Sequence, residues 1–164
     1  MTKTEQNLME AFAGESQANR KYLAYARQAD KEGYPQIARL FRAAAEAETV
    51  HAHAHLSALG KIKTTAENLK DAIAGESHEF KSMYPAMIAA AKEEGSKAAE
   101  RSFAYANDVE KIHAGLYEKA LEKMGNLEKV DYYVCSVCGY TCEKEPPGTC
   151  PVCGSKAAAF FRVD

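Results

Sequence analysis

Glu48-Thr49-Val50-His51 recurs further along the chain as Glu110-Lys111-Ile112-His113. Residues three apart on an α-helix share a face, so each segment turns a carboxylate and an imidazole the same way. A Gly-Glu-Ser lies upstream of each, at Gly14-Glu15-Ser16 and Gly75-Glu76-Ser77. The Gly-Glu-Ser copies stand 61 residues apart (14 to 75), and the Glu-x-x-His copies 62 apart (48 to 110). The match extends to Asn7-Leu8 with Asn68-Leu69, Ala13 with Ala74, Gly33 with Gly95 and Phe41 with Phe103. One hairpin written twice predicts a fold with a pseudo-twofold axis.

Working outward, Thr2 with Glu5 forms a capping box for a first helix running to about Lys31. Gly33-Tyr34-Pro35 breaks it, and Pro35 suits the first position of a second helix that ends near Gly60. Thr64 with Glu67 opens a third helix lasting to about Glu94, with a kink expected at Pro85. Gly95 ends it, and a fourth runs from about Ser96 to Met124, stopped by Gly125. Abundant alanine favours helix and lets helices approach closely. Four long helices predict an all-α bundle.

Glu15, Glu48, Glu76 and Glu110 all fall near the middle of their helices, so they arrive at one height. One Glu-x-x-His alone reads as a solvated helix face. Two, each in register with an upstream glutamate, bring four carboxylates into one layer, which is strongly unfavourable without a cation. Glu79, three residues after Glu76, adds a carboxylate to the same face. The candidate metal ligands of the bundle are therefore Glu15, Glu48, His51, Glu76, Glu79, Glu110 and His113. His53, His55 and His78 read as surface residues, with only His55 near the ligand face. Tyr22 and Tyr84 are spaced to place a phenol beside the metals, although such tyrosines also serve as core.

Composition narrows the remainder. A chain of 164 residues fits one domain, or one with a small appendage, and 46% hydrophobic residues suffice for a core. A formal net charge of −2 without a basic stripe argues against nucleic acid as a partner. No apolar run approaches the ~20 residues of a membrane span, so no membrane partner is expected. The opening residues lack the apolar core of a signal peptide, which predicts a cytoplasmic protein. All five cysteines fall between 135 and 153. The expected organisation is a bundle over residues 1–125, a linker over 126–132 and a small module over 133–164. Cys135, Cys138, Cys150 and Cys153 form two Cys-x-x-Cys-Gly knuckles, placing four thiolates around one tetrahedral metal, zinc or iron. Cys142 is left as a free thiol. Tyr133, Phe160 and Phe161 are the expected apolar core of a module too small to fold without its metal.

Two helices with one Glu each and two with Glu-x-x-His match the ligand set of ferritin-like di-iron or di-manganese carboxylate proteins. Followed by the two cysteine knuckles, the chain resembles rubrerythrin along essentially its whole length: a ferritin-like di-iron bundle with a C-terminal rubredoxin-like domain. The resemblance implies that Glu15, Glu48, Glu76, Glu79, Glu110 and His113 hold a non-haem di-iron centre when oxidised. It implies that His51 takes over one iron on reduction as Glu79 lets go. Tyr22 and Tyr84 match the family's tyrosines beside that centre, and the Cys-Gly-Tyr and Cys-Pro-x-Cys-Gly wording favours iron at the four cysteines. The implied activity is a peroxidase that reduces hydrogen peroxide to water. Glu79 would carry a proton, with Tyr22 and Tyr84 as hydrogen-bond donors, and electrons would come from a rubredoxin or an NAD(P)H-dependent reductase. Two other readings compete: a ferroxidase handling iron with O2, and a non-enzymatic electron carrier stapled by zinc.

One feature strains the resemblance. In ferritin-like bundles the second and third helices run parallel, so their connection must travel the bundle's length. Here about five residues, Lys61 to Thr65, reach at most ~18 Å, while a helix of roughly 25 residues is ~37 Å long. A single chain could fold up-down-up-down, but that abandons the family's topology. The expectation is therefore a homodimer or higher homo-oligomer in which helices one and two of one chain complete a bundle with helices three and four of another.

Overall fold

The computed structural model describes residues 1–164, which fall into two compact units, 1–63 and 64–164. Helix α1 (Lys3–Lys31) opens the first unit. The Thr2 hydroxyl accepts from the Glu5 amide at 3.2 Å, and the Glu5 carboxylate accepts from the Thr2 amide at 2.6 Å. Two of the amides that a helix start leaves unpaired are thereby satisfied. The helix closes as the Tyr34 amide donates to the Ala29 carbonyl, 2.8 Å away, across Gly33 at φ +83°. That left-handed residue is what the closing loop requires, and glycine adopts it without a Cβ penalty. Pro35 then starts α2 (Pro35–Ala58), where its missing N–H costs nothing.

The seam between α1 and α2 is built of small residues. Ala26 and Ala29 of α1, and Ala38, Ala45 and Ala52 of α2 at every seventh position, are buried, with Phe41 packed against Ala26, Ala29 and Ala38. Alanine brings the backbones close enough for a side chain to bridge them: the Asn19 amide donates to the Ala45 carbonyl at 2.7 Å and to Thr49 Oγ1 at 2.8 Å.

The second unit repeats the opening. Thr64 and Glu67 form the same reciprocal cap at the start of α3 (Thr65–His78). The third helix was expected to run unbroken to Glu94 with a kink at Pro85, and here the structure differs. After α3 the chain passes through a π-helical turn, Glu79–Met83, before α4 (Tyr84–Glu93). The reason lies in the repeat. The offset between copies is 61 at the Gly-Glu-Ser and 62 from Tyr22/Tyr84 onward, so one residue is inserted between Ser77 and Tyr84. The bond from the Tyr84 amide to the Glu79 carbonyl spans five residues instead of four and takes the extra one in. Pro85 falls in the first turn of α4, where no N–H is needed. Gly95, at φ +72°, ends α4, and α5 spans Lys97–Glu122.

The cysteine-rich segment forms a three-stranded antiparallel sheet of β1 (Tyr132–Cys135), β2 (Thr141–Glu143) and β3 (Phe160–Val163), in the order β2-β1-β3. Its most buried residues are Cys135 and Cys150. Phe161, expected in the module's core, is 52% exposed. Successive strand residues face opposite ways, so Phe160 and Phe161 cannot both point inward. The inward ring of Phe160 meets Tyr140 edge to face at 6.1 Å.

Candidate metal centres

Each hairpin gathers one carboxylate–histidine cluster of its own. In the first unit Glu15 of α1 meets Glu48 and His51 of α2, with one ligand atom from each within 4.8 Å of the others. In the second unit Glu76 of α3 meets Glu110 and His113 of α5 in the same way. The internal geometry repeats too. His51 Nδ1 lies 2.8 Å from Glu48 Oε2, and His113 Nδ1 lies 2.8 Å from Glu110 Oε2. An aromatic pair repeats in each hairpin: Tyr22 with Phe41 at 6.1 Å between centroids, and Tyr84 with Phe103 at 6.3 Å. The two hairpins are thus copies in three dimensions as well as in text.

The differences are as informative. Glu79 stands outside the three-atom group of the second unit, at the first position of the π-turn, and has no glutamate counterpart in the first hairpin. His51 is 56% exposed at its side chain and His113 only 26%. His53 and His78 are exposed and His55 half-buried.

Electrostatics mark the second cluster as under-neutralised. Burial raises the Glu76 carboxyl above its usual range, the Glu110 carboxylate raises it further, and His113 only partly opposes this. Burial also raises the Tyr84 phenol, with Glu110, Glu79 and Glu76 adding to the effect. A carboxylate oxygen and an imidazole lone pair 2.8 Å apart need a proton or a cation between them. The donor set, oxygen with imidazole nitrogen, suits iron, manganese or zinc.

The four cysteines converge in the second unit. Their sulfurs lie together, with Cys135 3.7 Å from Cys153 and Cys138 3.5 Å from Cys150, all as free thiols. Those separations exclude disulfides. They match the edge of a tetrahedron with metal–sulfur bonds of about 2.3 Å, which is about 3.8 Å. Hydrogen bonding with Ser155, 3.2 Å away, brings the Cys153 thiol down to about 6, whereas burial pushes Cys138 up. Cys142 stays apart on β2, with Sγ 3.7 Å from the Glu145 carbonyl.

The module rests on α5 of its own chain. Lys119 pairs with Glu143, which also accepts from the Tyr132 hydroxyl at 3.4 Å. Gly139 approaches so closely that a Cβ there would sit 3.7 Å from Val109. Between these points Thr141 Oγ1 lies 3.0 Å from His113 Nε2. Nothing in the sequence reading singled out Thr141 or Lys119. Their contacts bridge 28 and 24 residues of chain, and no periodicity reports such pairs.

Comparison with known proteins agrees with this layout. A family model described as Rubrerythrin matches residues 6–121, and one described as the rubredoxin-like domain of rubrerythrin matches residues 133–161. The chain is 39% identical to rubrerythrin-2 of Clostridium acetobutylicum, over 93% of this chain and 92% of the relative. It is 38% identical to a rubrerythrin of Porphyromonas gingivalis, over 97% and 89%. A solved structure of nigerythrin in its fully reduced, all-ferrous state superposes with a TM-score of 0.61 at 32% identity, covering 99% of this chain and 88% of the other. Proteins of this kind are oxidoreductases that combine a glutamate–histidine di-iron site with a four-cysteine rubredoxin-like site. Matched along both of its segments, and in the same order, the chain belongs to the rubrerythrin family.

Proposed function

We propose that the protein is a peroxidase that reduces hydrogen peroxide to water, H2O2 + 2 e⁻ + 2 H⁺ → 2 H2O, and so protects against oxidative stress. The observation that carries this reading is that the four-cysteine module lies on the helix that supplies Glu110 and His113, where it would serve as an electron inlet. Storage of iron needs no such inlet. When bound, an iron pair supplies both electrons in one encounter and Lewis acidity toward the peroxide oxygens.

The chain's residues do the rest. Glu15, Glu48, Glu76, Glu110 and His113 would hold the pair, with Glu79 and His51 as the ligands that would exchange. The exposure of His51 and the position of Glu79 on an irregular turn both leave those side chains room to move. Glu79 also carries a proton to the departing oxygen. Tyr84, held protonated by its burial and then by its carboxylate neighbours, donates a hydrogen bond to it, and Tyr22 does the same from the first hairpin. Cys135, Cys138, Cys150 and Cys153 would hold one iron, which would supply one-electron transfer, with a rubredoxin or an NAD(P)H-dependent reductase as the external donor.

The acting species is a homodimer that exchanges hairpins. Residues 59–64 alone connect α2 to α3, and the first unit leaves Ile37, Leu40 and Val50 exposed, an apolar set that association would cover. The working organisation is a bundle over 1–125, a linker over 126–132 and the iron module over 133–164. No helix is long and apolar enough to cross a membrane, and a cytoplasmic site of action fits this reading.

The test uses anaerobically reduced protein mixed with one equivalent of H2O2 or of O2, following the return of the ferric tetrathiolate colour. Much faster return with peroxide is expected. Equal or faster return with O2 would favour a ferroxidase, and a protein that never colours would be a zinc-stapled one. Exchange is tested by mixing a chain lacking Glu15 and Glu48 with one lacking Glu76 and Glu110. Full di-metal binding by a monomer would overturn it.

A further inference from the structure

His113 meets the carboxylates with one ring nitrogen and the four-cysteine module with the other. Nδ1 lies 2.8 Å from Glu110 Oε2 and 3.6 Å from Glu76 Oε1, while Nε2 lies 3.0 Å from Thr141 Oγ1. A threonine hydroxyl has one proton, and that of Thr141 goes to the Gly139 carbonyl at 3.1 Å. Its oxygen is left to accept, so the proton between the two residues belongs to His113 Nε2. An imidazole protonated at Nε2 offers its Nδ1 lone pair, the one facing the carboxylates, to a cation.

We infer that Thr141 is a positioning residue: its hydroxyl fixes both the ring orientation and the tautomer of His113, and so prepares Nδ1 as a metal ligand. A ligand histidine ordinarily finds this outer partner within its own fold, in a carboxylate or a carbonyl. Here the partner belongs to the other metal module. Thr141 begins β2 opposite Val134, and the knuckle before it is closed by the Gly139 amide on the Cys135 carbonyl at 2.9 Å and the Cys135 amide on the Tyr140 carbonyl at 2.9 Å. The position of the hydroxyl is thus set by the loop that Cys135 and Cys138 bracket. That loop sits against Val109, one turn before His113, and Lys119 clamps Glu143 beyond it. Contacts at 109, 113 and 119 hold the module in register along α5. One consequence rests on the peroxidase reading: the bonded path from Cys138 through the Gly139 carbonyl and the Thr141 hydroxyl to His113 is an electron route within a single chain.

The test needs no peroxide, so it stands or falls apart from the proposed activity. In the full-length, zinc-loaded, ¹⁵N-labelled protein, NMR is expected to show His113 as the Nε2–H tautomer with a slowly exchanging proton. T141V should lose that protection and lower the affinity of the helical cluster for Co(II) by about 10- to 100-fold, with zinc kept at the four cysteines. T141S, which keeps the hydroxyl, should restore both. A T141V protein with a protected Nε2–H, or with Co(II) affinity within about twofold of the parent, would overturn the inference. Should T141V shed its cysteine-bound zinc, T141A is read by the same two criteria.

Discussion

Replacing Glu76 by glutamine should stabilise the protein when the helical cluster is empty and destabilise it when the cluster is filled. Glu76 and Glu110 bring ligand oxygens within 4.8 Å of each other, on side chains only 20% and 16% exposed. Two unit charges at that separation repel by about 3.5 kcal/mol at an effective dielectric of 20. Attraction to His113, 3.6 Å from Glu76, offsets part of this, and the water that still reaches both carboxylates screens more. A net gain of about 1 kcal/mol for E76Q is left, which for a chain of this size raises the melting midpoint by about 2–4 °C. The gain must depend on pH. Glu76 binds its proton more tightly folded than unfolded, so stability is undiminished below the ordinary carboxyl range near 4.5 and is lost as pH rises through the raised value. The difference between parent and E76Q should therefore vanish in acid and grow toward neutrality. With Co(II) or Fe(II) bound the order inverts, because glutamine gives up a charged ligand. The assay is urea unfolding of protein with zinc kept at the four cysteines, with and without added divalent ion, from pH 4 to 7. An E76Q protein less stable than the parent in the empty state at pH 7 would refute the electrostatic reading of the cluster.

Three further outcomes follow from the geometry. Ser155→Ala removes the chief support of the Cys153 thiolate, so the titration near 6 should move up and metal uptake by the emptied module should slow at mildly acidic pH; ultraviolet thiolate absorbance measures the first and stopped-flow the second. Glu143→Ala removes the partner of Lys119 and the acceptor of the Tyr132 hydroxyl, and limited proteolysis should then cut residues 123–131 faster while the helical content is unchanged. On the proposed peroxidase reading, in which Tyr84 donates to the reacting oxygens, Tyr84→Phe should slow peroxide turnover by about 10- to 100-fold, with both metal centres still loaded.

Much of this architecture was legible in the residues, for physical reasons that differ by element. Thr2 and Thr64 announced helix starts because capping is local chemistry completed within three residues. Gly33 and Gly95 announced ends because closing a helix needs a left-handed residue. That Glu15, Glu48 and His51 lie together, and Glu76, Glu110 and His113 likewise, was legible because the repeat doubled every signal, and the cysteine cluster because its spacing leaves little else to do. The π-turn at Glu79–Met83 was missed although its trace lay in the text, as the step in repeat offset from 61 to 62. Phe161 was misplaced because two adjacent aromatics on a strand look equally core-like until its register is known. Thr141 was invisible: its role exists only once the small sheet lies against α5.

The π-turn carries a consequence of its own. This chain contains a built-in control: hairpin one has the same tyrosine–phenylalanine pair, reached by an unbroken helix. Packing therefore does not demand the extra residue, and the weaker hydrogen bonding of a π-turn is a cost the second hairpin bears and the first avoids. Excising one residue between Phe80 and Ser82 should leave a bundle that folds and holds its cysteine-bound metal, while Glu79 becomes an ordinary residue of a straight helix. The inserted residue is in that sense the difference between two identical struts and a strut facing a hinge.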